Sequence, residues 1–198
     1  MCAAKSAPIL FTTGIYHAVE LGIGDIPRLQ SFFELNPEYF VSVNGQPPHS
    51  AEAYEEVNRT LPEGWPFTKK WTIGFVNKAL SLVGMADIVS DLLAPNVWHI
   101  GLFIVATRLH GSGAAQALYQ QLERWAFSLG AQWMRLGVVH GNTRAERFWA
   151  RCAFVEVRRR SAEMGNQINI LRVMAKPLAA GTLPEYLALV PRDRPGPG

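Results

Sequence analysis

Cysteine is nearly missing from this sequence. Cys2 and Cys152 are the only two in 198 residues, and so far apart they suggest neither a disulfide framework nor a metal-ligand pattern. A reducing, cytoplasmic location is expected, with no bound metal. Long apolar runs are missing too. None approaches the length a membrane-spanning helix needs, and MCAAKSAPIL at the N-terminus lacks the apolar core of a secretory signal, so no membrane partner is expected. Dense basic clusters are reduced to one, Arg158-Arg159-Arg160. It has no interleaved aromatics and falls in strand-like sequence whose alternate residues face opposite sides, which weighs against a nucleic-acid partner.

What remains is an ordinary globular composition, 48% hydrophobic and 18% charged, long enough to bury a core. One domain over residues 1–176 is expected, followed by a partly disordered tail at 177–198. Charge is uneven along the chain. Residues 1–65 hold eight acids against Lys5, Arg28 and Arg59, and the rest of the chain is basic. That asymmetry is either a solvated surface or two half-sites, one for cations and one for phosphates.

Periodicity gives the elements. ILFTTGIY (9–16) reads as a strand, and Asp25 as the start of a helix with Pro27 in its first turn and Ile26, Leu29 and Phe33 on one face. Pro37 ends that helix. Ser50 caps a second, with Tyr54, Val57 and Leu61 on one side. WTIGFV and ALSLVGMADIV flank Asn77-Lys78 as a hairpin, and VWHIGLFIV is a buried strand. Residues 113–129 return to helical spacing, WMRLGVV is a strand, and Asn142 opens a helix with Ala145, Phe148, Trp149 and Cys152 inward. FVEVRRR and NQINILRVMAK form a last antiparallel pair about Gly165-Asn166. The tail is expected to pack through Leu183, Tyr186 and Leu189, with RPGPG disordered. The layout is α+β or mixed α/β around one sheet.

The strand VWHIGLFIV runs into RLHGSGAA (108–115), where Gly111 and Gly113 stand at a helix start. A strand feeding a helix through such a turn suits an anion, because the first helical N–H groups lack intrahelical partners and the helix dipole is positive there. The tripeptide alone reads first as a glycine-eased turn without a ligand. Rossmann and Walker patterns do not fit.

Element order and two motifs together resemble the GCN5-related N-acetyltransferase (GNAT) family. The first motif, Arg or Gln, two residues, Gly, one residue, Gly or Ala, matches Arg108-Leu109-His110-Gly111-Ser112-Gly113. The second matches Asn142, Ala145, Phe148-Trp149 and Phe154. The resemblance spans roughly residues 8–176 and is specific over 98–154. It implies a mostly antiparallel sheet with splayed fourth and fifth strands, and acetyl-CoA as the cofactor. Amides of His110, Gly111, Ser112, Gly113 and Ala114 would hold the pyrophosphate, with Arg108 beside them. Main-chain groups of Phe103, Ile104 and Val105 would pair with the pantetheine arm, and Asn142 and Trp149 would contact the cofactor.

The chain departs from the family at Trp149, where many members carry a tyrosine that protonates the departing thiolate. Indole cannot supply a proton near neutral pH. His99, near where some members carry a catalytic glutamate, is the candidate base, with Asp87 as the second; a hydrogen-bonded histidine and a surface acid are the plain alternatives. Glu38 and Tyr39 fall where relatives line the acceptor pocket. The expected function is direct transfer of acetyl to an amine of a small, cationic molecule. Two rivals are a catalytically inactive coenzyme A sensor of the same fold and a protein N-acetyltransferase. A homodimer is compatible with the resemblance.

Overall fold

The computed structural model describes residues 8–196. Cys2 and the final Pro197-Gly198 of the RPGPG run lie outside them. The first apolar stretch is not one strand but two, β1 (Ile9–Thr13) and β2 (Tyr16–Glu20), folded back on each other at Gly14-Ile15. Strands β3 (Lys69–Val76), β4 (Leu82–Ser90), β5 (Val97–Val105), β6 (Trp133–Val139), β7 (Val155–Met164) and β8 (Gln167–Pro177) complete a sheet of order β1-β2-β3-β4-β5-β6-β8-β7. Every neighbouring pair is antiparallel except β5 and β6, which α4 (Ala114–Ser128) connects as a crossover. The mixed α/β class read from the sequence is the observed one.

One face of the sheet is covered by α4 and α5 (Thr143–Arg151). Leu118, Tyr119, Leu122 and Trp149 pack there against Trp98, Ile100, Met134 and Leu136. The other face carries α1 (Ile26–Glu34), α2 (Glu38–Asn44) and α3 (Glu52–Asn58), which bring Leu29, Phe33, Phe40 and Ala53 onto Met85, Leu102 and Ile104. Pro37 does more than end α1: it is the N-cap of α2, a helix the periodicity had not shown. The α3 face also differs from expectation. Its cap is Ala51 rather than Ser50, Tyr54 is exposed, Leu61 lies outside the helix, and the inward residues are Ala53 with Glu52 and Glu56. Two buried carboxylates override the apolar pattern there.

Residues beyond β8 form α6 (Leu183–Leu189), opened by a Thr182/Glu185 capping box. Tyr186 is fully buried and Leu183 partly so, whereas Leu189 is exposed and Val190 takes its place in the core. Among the described residues no helix is long and apolar enough to cross a membrane.

Candidate active site

The sheet opens at its one parallel pair. β5 and β6 are paired only from Val97 to Ile100 against Trp133 to Leu136. Beyond that a bulge at Gly101 shifts the β4–β5 register, because Asp87 stands opposite Leu102 and Ile88 opposite Ile100. The splay expected between the fourth and fifth strands is this β5–β6 gap, the numbering raised by one because the first strand is two. It leaves one edge of Phe103, Ile104 and Val105 without a strand partner. At the end of β5, Arg108 is exposed in a short turn, Gly111 and Gly113 hold left-handed φ values of +79° and +83°, and Ala114 begins α4. A Cβ at either glycine would meet nothing, so the cradle is open space bounded by backbone. His110 spans it, with Nε2 at 3.0 Å from the Val105 carbonyl and Nδ1 at 2.6 Å from Arg144 Nη1. Ser112 is engaged locally: its hydroxyl donates to the Leu109 carbonyl and accepts from the Ala114 amide.

A cleft of about 290 Å³ runs from this gap across the opposite face. Asn142, Ala145 and Trp149 line its α5 end, and Tyr39, Lys70, Asp87 and His99 line the other. The β7–β8 hairpin closes over it. Gln167 and Asn169 each donate to the Val43 carbonyl of α2 at 2.8 Å, and Gly165 sits so near Asn44 that a Cβ would lie 2.7 Å from the Asn44 Cβ. The contact needs glycine at that turn, and it bridges the cleft from helix to hairpin.

Asp87 is 4% exposed, its Oδ2 at 3.2 Å from Lys70 Nζ. Its Oδ1 and Oε1 of Glu56 are both buried with no assigned donor. Burial first, then the neighbouring Glu56 carboxyl, push the Asp87 pKa up to about 8, against the opposing pull of Lys70. Lys70 is fixed by the Glu56 and Arg59 carbonyls as well, at 2.9 and 3.2 Å. His99 behaves in the opposite sense. Burial and the adjacent Arg135 charge drive its pKa down to about 3, and its Nδ1 lies 3.1 Å from the Arg135 carbonyl. Burial and Arg135 thus disfavour the protonated imidazole that a base at this position would have to become. Arg135 itself is 2% exposed and held by Asp193 through two bonds of 2.7 and 2.9 Å, with Tyr186 donating to the same carboxylate at 2.6 Å.

Of the two residues assigned to the acceptor side, Tyr39 lines the cleft and Glu38 does not. The Glu38 carboxylate accepts from the Thr107 hydroxyl at 2.6 Å, which lowers its pKa. Asn142 caps α5 through the Ala145 amide at 3.1 Å and donates to Ser42 of α2 at 3.0 Å.

The model of the acetyltransferase (GNAT) family matches residues 29–154. The chain belongs to this family. Its fold is similar to an acetyltransferase from Thermus thermophilus, at TM-score 0.63 and 18% identity over 84% of this chain and 99% of that one. It is also similar to spermidine N-acetyltransferase from Vibrio cholerae in complex with CoA and spermine, at TM-score 0.63 and 17% identity over 83% and 96%. Ribosomal-protein-S5-alanine acetyltransferase from Vibrio fischeri matches at TM-score 0.65 and 11% identity over 87% and 98%. No protein of curated function matches the sequence significantly.

GNAT enzymes use acetyl-CoA, and the open β5 edge with the left-handed glycines at the α4 N-terminus fits its phosphates and pantetheine arm. Gly113→Phe tests that fit. No side chain crowds the position, but its φ of +83° is costly for phenylalanine and the ring would fill the cradle. Calorimetric titration should show acetyl-CoA affinity lowered by at least about tenfold, because the free loop relaxes out of the left-handed φ and must recover about 1–3 kcal/mol of strain, and expel the ring, before the pyrophosphate enters. Unchanged affinity would remove the pyrophosphate from this loop. Trp149, in the tyrosine's place, is 7% exposed and packed among Phe103, Tyr119 and Phe154. Tyr119 is no substitute acid, because burial and its bond to Glu123 raise its pKa far above normal.

Sequence reasoning missed Glu56, Lys70, Arg135 and Asp193. One signal was visible: Arg135 is a lone charge in the apolar strand WMRLGVV, and a buried arginine requires a carboxylate from elsewhere.

Proposed function

We propose that the chain transfers acetyl from acetyl-CoA to the amine of a small molecule, with Asp87 as the base that deprotonates the amine. The carrying observation is that one cleft joins the β5–β6 opening to a buried carboxylate of raised pKa. Acetyl-CoA supplies an activated thioester when bound beside Asn142, Trp149 and the 108–114 loop. Asp87, once ionised, takes the proton from the entering ammonium directly or through one water. Lys70 holds the carboxylate in place, and Glu56 behind it keeps its basicity high. The neutral amine then attacks the thioester carbonyl, a C–N bond replaces the C–S bond, and coenzyme A would leave as a thiolate that takes up the proton the nitrogen sheds, directly or through water. His99, neutral throughout, serves as a hydrogen-bonding wall of the cleft.

The small-molecule acceptor is favoured over a protein substrate by the α2–hairpin contact, which bridges what would otherwise be an open groove. Relatives of similar fold named for spermidine are in keeping with a small amine that enters as a cation. The coenzyme A sensor keeps one point in its favour, the absence of a tyrosine at position 149. Calorimetry with acetyl-CoA beside a thiol-release assay over a panel of amines separates the readings. Binding with turnover of one amine class is the expected result. Binding without any turnover would make the chain a sensor, and acetylation confined to proteins would overturn the small-molecule assignment.

A further inference from the structure

Four cations line the cleft, Arg59, Lys70, Arg135 and Arg160, against one carboxylate, Asp87. Three of the four are matched. Arg59 pairs with Glu56 at 3.1 Å, Lys70 with Asp87 at 3.2 Å and Arg135 with Asp193 at 2.7 Å. Arg160 forms no ion pair among the described residues, and its Nε is buried without a hydrogen-bond partner. Its surroundings add to the excess. Burial pulls its pKa down first, then the like charges of Arg135, Arg192 and Arg158. Asp193, the one carboxylate opposing them, is already held by Arg135 and Tyr186. A guanidinium keeps its proton at any ordinary pH, so this positive charge is resident in the cleft. A partly desolvated guanidinium lacking a counter-ion is stabilised by a ligand that brings one.

We infer that Arg160 is the carboxylate-binding residue of the acceptor site, and that the acceptor is a small amino-carboxylate. The inference rests on the acetyl-transfer reading and deepens it. Arg160 lies on the same face of β7 as Leu171 and Val173 of its partner β8, both of which also line the cleft. The sheet order β6-β8-β7 puts two strand spacings, roughly 10 Å, between the β6 edge of the opening and the Arg160 backbone. The long side chain spans part of that distance and the acceptor spans the rest. Amine and carboxylate are thus separated by several bonds, as in an ω-amino acid or an amino acid acetylated on its side-chain amine. A polyamine would instead bring a second ammonium towards Arg160 and Arg135, where like charges repel.

The test uses paired acceptors that share a carbon skeleton and differ only in a carboxylate or its neutral amide, over several chain lengths, with polyamines alongside. Direct calorimetric binding to the coenzyme A-loaded protein is measured beside the rate of thiol release. The carboxylate member should bind, and react through a lower KM, about 10- to 100-fold better than its amide, the usual worth of a charge-assisted hydrogen bond. Arg160→Gln should collapse that preference with melting temperature and acetyl-CoA affinity unchanged. Arg159→Gln, on the opposite side of the strand and paired with Glu156, should preserve it. Equal binding of acid and amide, no binding of either, or a preference that survives Arg160→Gln overturns the inference. Turnover of polyamines without a carboxylate preference would overturn it while sparing the acetyl-transfer reading. Carboxylate-selective binding without turnover would do the reverse.

Discussion

Asp87→Asn is expected to lower kcat by about 10²- to 10⁴-fold, the usual worth of a positioned general base. Acetyl-CoA affinity should be untouched, because Asp87 is not among the residues that would hold the cofactor, Asn142, Trp149 and the 108–114 loop. In the unmodified chain the rate should rise with pH and level off above about 8, since only the ionised carboxylate accepts a proton. The variant should lose that limb. Stability should move the other way. A carboxyl whose pKa is raised on folding keeps its proton in the native state while the unfolded chain ionises, so it costs stability from about pH 4 upward to its folded pKa. Asparagine removes that cost and keeps an acceptor for Lys70. A melting temperature at pH 7 that holds or rises, together with lost turnover, is therefore the signature of a base rather than of a structural acid. A retained rate would return the proton transfer to water, and a retained pH limb would move it to another group.

Asp193→Ala is expected to destabilise the fold by about 3–5 kcal/mol, because it strands a guanidinium in the interior. Arg135 and Asp193 are both about 2% exposed, and the aspartate takes two hydrogen bonds from Arg135 and one from the Tyr186 hydroxyl. For a chain of this length that corresponds to a melting temperature lower by about 10 °C. Replacing Arg135 and Asp193 together by methionine and leucine should recover much of the loss, because the desolvation penalty disappears with the charges. The single substitution should also make the chain indifferent to acid in one respect. The Asp193 pKa is lowered by Arg135, so its contribution is present above the unfolded carboxylate pKa and lost as pH falls through the folded one. A thermal scan against pH, run on both forms, measures that difference. A loss no larger than that of a surface ion pair would mean that Arg135 finds another partner or water.

The glycine turn and the α5 cap were legible in the sequence because their information is local. The two glycines, the Asn142 cap and the spacing of Phe148, Trp149 and Phe154 each lie within one strand–turn–helix unit. The acceptor side was not. The groups proposed there are Asp87 with Glu56, Arg135 with Asp193, and Arg160, and the two pairs are joined across 31 or more residues of chain by helices and turns packed onto the sheet. Counting acids along residues 1–65 could not show where each one points. Glu20 pairs with Lys69, Asp25 with Arg28 and Glu38 with Thr107, so these three serve their own neighbourhoods, while Glu56 alone stands behind the Asp87 carboxyl. The inward face of α3 was misread for the same reason: a polar site had replaced the apolar stripe that periodicity detects.

The Arg135–Asp193 pair also sets an order on synthesis. Arg135 leaves the ribosome 58 residues ahead of its partner, so all eight strands exist while that guanidinium still lacks a carboxylate. A nascent sheet must either leave β6 unsealed or keep water around Arg135 until α6 and the turn after it arrive. Docking of that segment is then the event that dries the Arg135 end of β6, and a chain arrested before it would keep the open β5–β6 edge with that guanidinium still in water.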